Sequence, residues 1–301
     1  MNSTSGIVYA VVTVLAWGLW LAPSQTVPLQ GQQTRTFYVT LAVLLLSIAG
    51  AWVSGLQSLS LGQFGLPFAG GLIWALSGWS AFVGTNNLGM ARAFGIWAPL
   101  NIMVSIAWGM VLFGEFLSTG TFNLMLAAAS VAVIVVGILM IIFAGGESAS
   151  AAGGKANNKV AGYLGALGAG VGFASYFVPI RISQLSMWVA MLPMAVGMFV
   201  GGCLLVAVSR SPLRLQAPSH YTRLLATGIL WGIGNYGALL MMERIGTGKG
   251  FTIAQLCVVV NALASVFWFK NPAPGTKAAK LTLAGIALAT TAGAVLGNLK
   301  S

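Results

Sequence analysis

The sequence predicts an all-α polytopic membrane protein, with ten transmembrane helices arranged as two inverted five-helix repeats. Three observations lead there. The 301 residues are 58% hydrophobic and only 6% charged, whereas about a quarter of the residues of a soluble domain are charged. The apolar residues come in runs of about 20, enough for a helix to cross a hydrocarbon core of roughly 30 Å. Residues of one half also match residues of the other half, in order, at a nearly constant offset.

The runs place helices at 6–22, 37–55, 64–84, 95–113, 121–144, 160–179, 187–208, 222–242, 250–269 and 278–297. The short alternating segments of a transmembrane barrel do not occur. The start, Met1 to Ala10, lacks the basic region of a cleavable signal, so the first run reads as a retained helix. Residues 145–159, GGESASAAGGKANNK, read as a flexible linker. They separate a first repeat, 1–144, from a second, 160–301.

The internal match is specific. Trp17-Gly-Leu-Trp20-Leu-Ala-Pro23 aligns with Phe173-Ala-Ser-Tyr176-Phe-Val-Pro179, since 173 − 17 = 156. An offset one residue larger takes Gly71 to Gly228, Trp74 to Trp231, Trp79 to Tyr236, Arg92 to Lys249 and Phe94 to Phe251. Five spans is an odd number, so the second half enters the membrane from the opposite side. That is the plan of a secondary transporter with its site near the midplane. Glycines recur at small-xxx-small spacing, as in Gly168/Gly172, Gly197/Gly201 and Gly228/Gly232. This spacing lets helices cross closely.

The formal charge is +11. Here Lys and Arg lie between apolar runs, where they set topology and meet membrane lipids; the charge does not indicate nucleic acid. Loops on one side carry Arg35, Arg92, Lys155, Lys159, Arg210, Arg214, Arg223, Lys270, Lys277 and Lys280. The other side carries Arg181, Arg244, Lys249 and Lys300. The positive-inside rule puts the richer side in the cytoplasm and both termini outside a plasma membrane.

Glu115, Glu147 and Glu243 are the only acidic residues, and none falls in mid-span. Drug antiport through a buried carboxylate is therefore disfavoured, as is a membrane hydrolase. Cys203 and Cys257 read as packing residues, and nothing suggests a metal or cofactor. Inside the spans lie neutral polar groups: Ser77, Asn101, Asn235, Gln255 and Asn261. Amides in hydrocarbon must find partners. On repeat-related helices they point to a polar cavity, with interhelical bonding as the plainer use of any one of them. Trp17, Trp20 and Tyr176 lie beside the matched prolines and form a candidate aromatic wall. Ring faces stack on the C–H faces of sugars while amides bond their hydroxyls. A neutral polyhydroxylated substrate, most simply a monosaccharide, suits that set.

Arg92 and Lys249 precede the fourth and ninth helices as gating candidates, or as side chains that snorkel to head groups. Glu115 and Glu243, at span ends, are the candidate carriers of a coupling proton. Two alternatives stay open. One is a carrier of amino acids or organic anions using Arg92, Lys249 and Arg181. The other is a scaffold or lipid-handling protein without a closed polar cavity.

Gly89, Arg92, Ile96, Asn101 and Phe113-Gly-Glu115, with Thr252-Ile-Ala-Gln255-Leu256 in the second half and Trp17-Gly18…Pro23 in the first helix, resemble the glucose/ribose porter family of the drug/metabolite transporter superfamily. The resemblance implies ten helices and sugar uptake, coupled to protons in some members. Asn101 stands where a glutamine is more usual, and Asn271 where the second half often ends in Glu.

Overall fold

In hydrocarbon every backbone N–H and C=O must bond within the protein, so long apolar runs become helices. The computed structural model describes residues 3–54, 59–113, 121–144, 158–245 and 253–297, and the regular structure among them is helical. Eight described helices are long and apolar enough to cross a membrane. They are α1 (Ser3–Leu19), α2 (Gln32–Ser54), α3 (Leu61–Leu88), α4 (Met90–Phe113), α5 (Thr121–Phe143), α6 (Lys159–Ser175) with its short extension α7 (Phe177–Ile182), α8 (Met187–Ser209) and α11 (Lys277–Gly297). Two expected spans differ in form. Residues 222–242 lie within the longer and more polar α9 (Pro218–Ile245). Residues 250–269 contain the short α10 (Cys257–Leu263), which runs on as a π-helical turn, Ala264–Trp268.

Local chemistry sets the ends. The Ser60 hydroxyl accepts from Gln63 N while the Gln63 side chain accepts from Ser60 N, a capping box that starts α3. Asn158 Oδ1 accepts from Ala161 N and starts α6. Gly89 separates α3 from α4 at φ +82°, a conformation that glycine adopts without cost.

The first helix of each half is interrupted at the same place. Proline has no N–H, so Pro23 cannot bond the carbonyl of Leu19, and Pro179 cannot bond that of Ser175. Helices α1 and α6 end at Leu19 and Ser175, and 175 − 19 = 156. A 3₁₀ turn, Ala22–Ser24, follows the first break and α7 follows the second. Trp20 and Tyr176 sit at the two breaks. The sequence match located these prolines, but the spans expected at 6–22 and 160–179 carried the helix past the breaks after Leu19 and Ser175.

Helix lengths also pair between the halves. α1 and α6 have 17 residues each, α2 and α8 have 23, and α3 and α9 have 28. Packing partners pair as well. α3 packs on α6 and α8, and α9 packs on α1 and α2. α4 packs on α6, and α10 on α1; α5 lies against α11, and α2 against α8.

These crossings are backbone-close at glycine. A Cβ on Gly71 would collide with the Met194 carbonyl oxygen of α8, one on Gly197 with the Phe68 carbonyl, and one on Gly228 with the Val39 carbonyl of α2. The spaced glycine pairs thus mark crossings, since Gly201 lies against Ala75 and Gly232 against Leu46. Outward faces carry Leu45, Val111, Val136 and Val208, all exposed, as lipid contact requires.

Gly71→Val therefore costs about 3 kcal/mol or more by overpacking, read as a lowered melting temperature and loss of the monodisperse peak in detergent. Gly62→Ala, where an added Cβ has nothing within 4 Å, leaves both unchanged.

Candidate functional site

The two interrupted helices, α3, α4, α9 and the start of α10 enclose one cavity. The empty space there is about 540 Å³ with its open mouth included. Trp17 and Trp20 come from the end of α1, and Phe173, Tyr176 and Phe177 from the second break. Trp74 comes from α3 and Trp231 from α9, and Phe94 and Trp97 come from α4. Nine of the lining residues are aromatic, and none is charged.

The rings hold one another. Trp74 and Trp231, which match in the sequence at 231 − 74 = 157, meet edge to face with centroids 4.6 Å apart. Trp74 is also 6.4 Å from Trp20 and 5.8 Å from Phe173, and Phe173 is 6.1 Å from Trp97. Edge-to-face pairs add about 0.5–1.5 kcal/mol each beyond their buried area. Trp17 Nε1 donates to the Trp231 carbonyl at 3.2 Å, which ties α1 to α9. The indole N–H of Trp74 is buried without a partner. A buried donor left unmade costs about 1–3 kcal/mol.

Polar groups enter from opposite halves. Asn101 lies on α4, two residues past Pro99. Its Oδ1 accepts from Ser105 Oγ at 3.1 Å, which leaves the amide nitrogen for the cavity. Gln255 lies in the turn before α10 and is almost fully buried at the cavity edge. Cys257 adds a buried thiol beside it.

Five sequence-derived candidates, Trp17, Trp20, Asn101, Tyr176 and Gln255, thus share one cavity. Three do not line it. Ser77 donates to the Ile73 carbonyl at 2.7 Å and packs against Gly172. Asn235 Nδ2 donates to Met191 Sδ at 2.8 Å. Asn261 Nδ2 donates to the Gly18 carbonyl at 3.1 Å, joining α10 to α1. Arg92 differs from a side chain that snorkels to head groups: it is buried, at 4% exposure, outside the cavity lining. Arg181 is exposed and also outside the lining. Glu115 and Lys249 lie outside the described residues, as does the Glu243 side chain. Among the described residues no His, Cys, Asp and Glu converge as metal ligands.

Sequence reasoning missed the contribution of Trp74, Trp231, Phe94, Trp97, Phe173 and Phe177 to the wall. The usable signal was the Trp74/Trp231 match at an offset of 157 in the sequence.

Residues 8–299 match the family model described as sugar transport protein. A probable glucose uptake protein GlcU of Priestia megaterium is 27% identical over 275 residues, covering 90% of this chain and 91% of the relative. A putative sugar uptake protein of Bacillus anthracis is 28% identical over 294 residues, covering 97% and 98%. The glucose uptake protein GlcU of Bacillus subtilis (strain 168) is 25% identical over 272 residues, covering 90% and 91%. One solved crystal structure superposes with a TM-score of 0.63 at 19% identity, over 97% of this chain and 96% of that one, a likeness of fold alone. With the family model matched along nearly its whole length, the chain belongs to the sugar transport protein family, multi-pass membrane proteins of the plasma membrane.

Proposed function

We propose that the protein is a secondary transporter that moves a monosaccharide across the plasma membrane by alternating access. The observation that carries this reading is the cavity's lining: amides from both halves, Asn101 and Gln255, on an aromatic wall with no charged side chain. A pyranose ring offers C–H faces to indoles and hydroxyls to amides. The relatives' names point the same way, since several are glucose or sugar uptake proteins. An organic anion would need Arg92, Arg181 or Lys249 at the ligand. That Arg92 and Arg181 lie outside the lining favours the neutral substrate.

The two five-helix halves, 1–144 and 160–301, are the moving bodies, joined by 145–159. Support for ten spans in inverted repeat comes from the paired helix lengths, the paired breaks at Leu19 and Ser175, and the reciprocal packing of α3 on α6 and α9 on α1. Trp20 and Tyr176 are the natural gates, because each rides on a break where the backbone turns with few helical bonds to lose. Arg92 and Lys249 hold matched places in the sequence and serve the same motion. A coupling proton has Glu115 and Glu243 as its carriers, and uptake stimulated by acid that Glu243→Gln or Glu115→Gln abolishes would assign it.

Uptake of labelled glucose, ribose and an organic anion into vesicles tests the reading. Asn101→Ala or Gln255→Ala removes one hydrogen bond of about 1 kcal/mol, so half-saturation for the sugar rises about fivefold. Trp20→Ala raises it more than tenfold. Ser77→Ala stays within twofold. No sugar flux, with anion flux that falls on Arg92→Ala, would sink the proposal.

Asn261→Ala separates scaffold from ligand contact. It leaves the Gly18 carbonyl without its donor, which costs about 1–3 kcal/mol. The melting temperature drops while half-saturation for the sugar is unchanged.

A further inference from the structure

Arg35 is in the first turn of α2, near the level of the α1 break, and is 1% exposed. Its Nη2 donates to the Ser24 carbonyl at 3.0 Å, while Nε and Nη1 are buried with no partner. Its guanidinium stands over the Phe82 ring, 5.3 Å from the centroid. The neighbouring carbonyl, Pro23, takes a bond from Arg223 Nε at 2.7 Å, and Arg223 also donates to Thr26 Oγ1. Two guanidinium groups thus converge on one turn, held by carbonyls, a hydroxyl and a ring face.

The backbone does not demand them. At the second break, the positions matching Arg35 and Arg223 are Ala190 (190 − 35 = 155, the α2-to-α8 offset) and Leu66 (223 − 66 = 157). There the turn is closed by its own chain: Ser183 N donates to the Pro179 carbonyl and Ser183 Oγ to that of Ile180. At the first break the Ser24 carbonyl likewise has a donor from its own chain, Val27 N at 3.1 Å, so closing that turn does not require Arg35. A buried guanidinium without an anionic partner is costly, and carbonyl dipoles and one cation–π contact offset only part of that.

We propose that Arg35 and Arg223 form a binding site for a small free oxyanion, phosphate or a short carboxylate, separate from the sugar cavity. The orphan N–H groups of Arg35 are the recognition elements, since guanidinium binds such oxygens with charge-assisted bonds. Arg223, half-buried, forms the outer wall. Two further buried acceptors, Gln25 Oε1 on the same turn and Gln32 Oε1 on the first residue of α2, lack partners. An amide flip would present the Gln32 NH₂ group instead, while Gln25 Nε2 is held by the Thr85 carbonyl at 3.3 Å. Phe82 stands between this site and Trp20, its ring 5.5 Å from the indole. An occupied site would therefore brace the turn that carries a cavity aromatic.

The test is thermal unfolding of the full chain in an uncharged, sugar-free detergent, with inorganic phosphate titrated at constant ionic strength. The expected result is a saturable rise in melting temperature. Its half-saturation moves at least tenfold in Arg35→Gln and severalfold in Arg223→Gln. Where Arg35→Gln gives no cooperative transition, Arg35→Lys and Arg223→Gln decide: both weaken the phosphate response. No saturable rise in the wild type overturns the proposal and leaves water as the occupant. A response that these variants leave unchanged overturns it as well. So does a rise with added phosphatidylglycerol but none with phosphate, because that assigns the arginines to lipid head groups.

Discussion

The constraint behind this structure is that a bilayer core offers no partner to a free backbone group. A helix interrupted inside it must have its loose carbonyls met by protein. Both halves break their first helix just ahead of a proline. The broken segments therefore belong in the protein interior, faced by α3 and α9, and the interior there becomes a cavity. Trp20 and Tyr176 are at that cavity because they are at the breaks. Backbone bonding, not side-chain attraction, decides where the site is.

Apolar attraction alone would not assemble the bundle, since lipid tails are as apolar as leucine. Close approach does it instead. Gly71, Gly197 and Gly228 let carbonyl oxygens of neighbouring helices lie where a Cβ would be. The aromatic residues then fill the wider space at the centre, where helices diverge around the breaks. Small residues at the crossings and large ones at the centre give the same backbone both tight contacts and a cavity.

Much of this was legible in the sequence. Run length located most spans, and the matched Trp-Gly-Leu-Trp and Phe-Ala-Ser-Tyr segments located both ends of the aromatic wall. Asn101 and Gln255 were found as polar groups on related helices. What the sequence could not resolve was direction. Asn235, Asn261 and Ser77 are just as polar, yet a rotation of some 100° per residue decides whether an amide meets a cavity or a neighbouring helix. Asn261 turned to the Gly18 carbonyl. Arg35 was read as one of many topology charges, because a charge near a span end gives no hint that α3 and α9 will bury it.

The meeting of Trp74 with Trp231 bears on what the site can distinguish. A ring pair of near-equal partners at the centre makes the wall almost indifferent to which way round a ligand lies. The amide of Gln255 breaks that evenness. Its counterpart at 255 − 157 = 98 is Ala98, which also lines the cavity but offers only a methyl group. A chiral ligand in such a chamber has one preferred heading, with the same end always toward Gln255. Passage inward and passage outward then present different ends of the ligand to the exit, and the two directions need not run at the same rate.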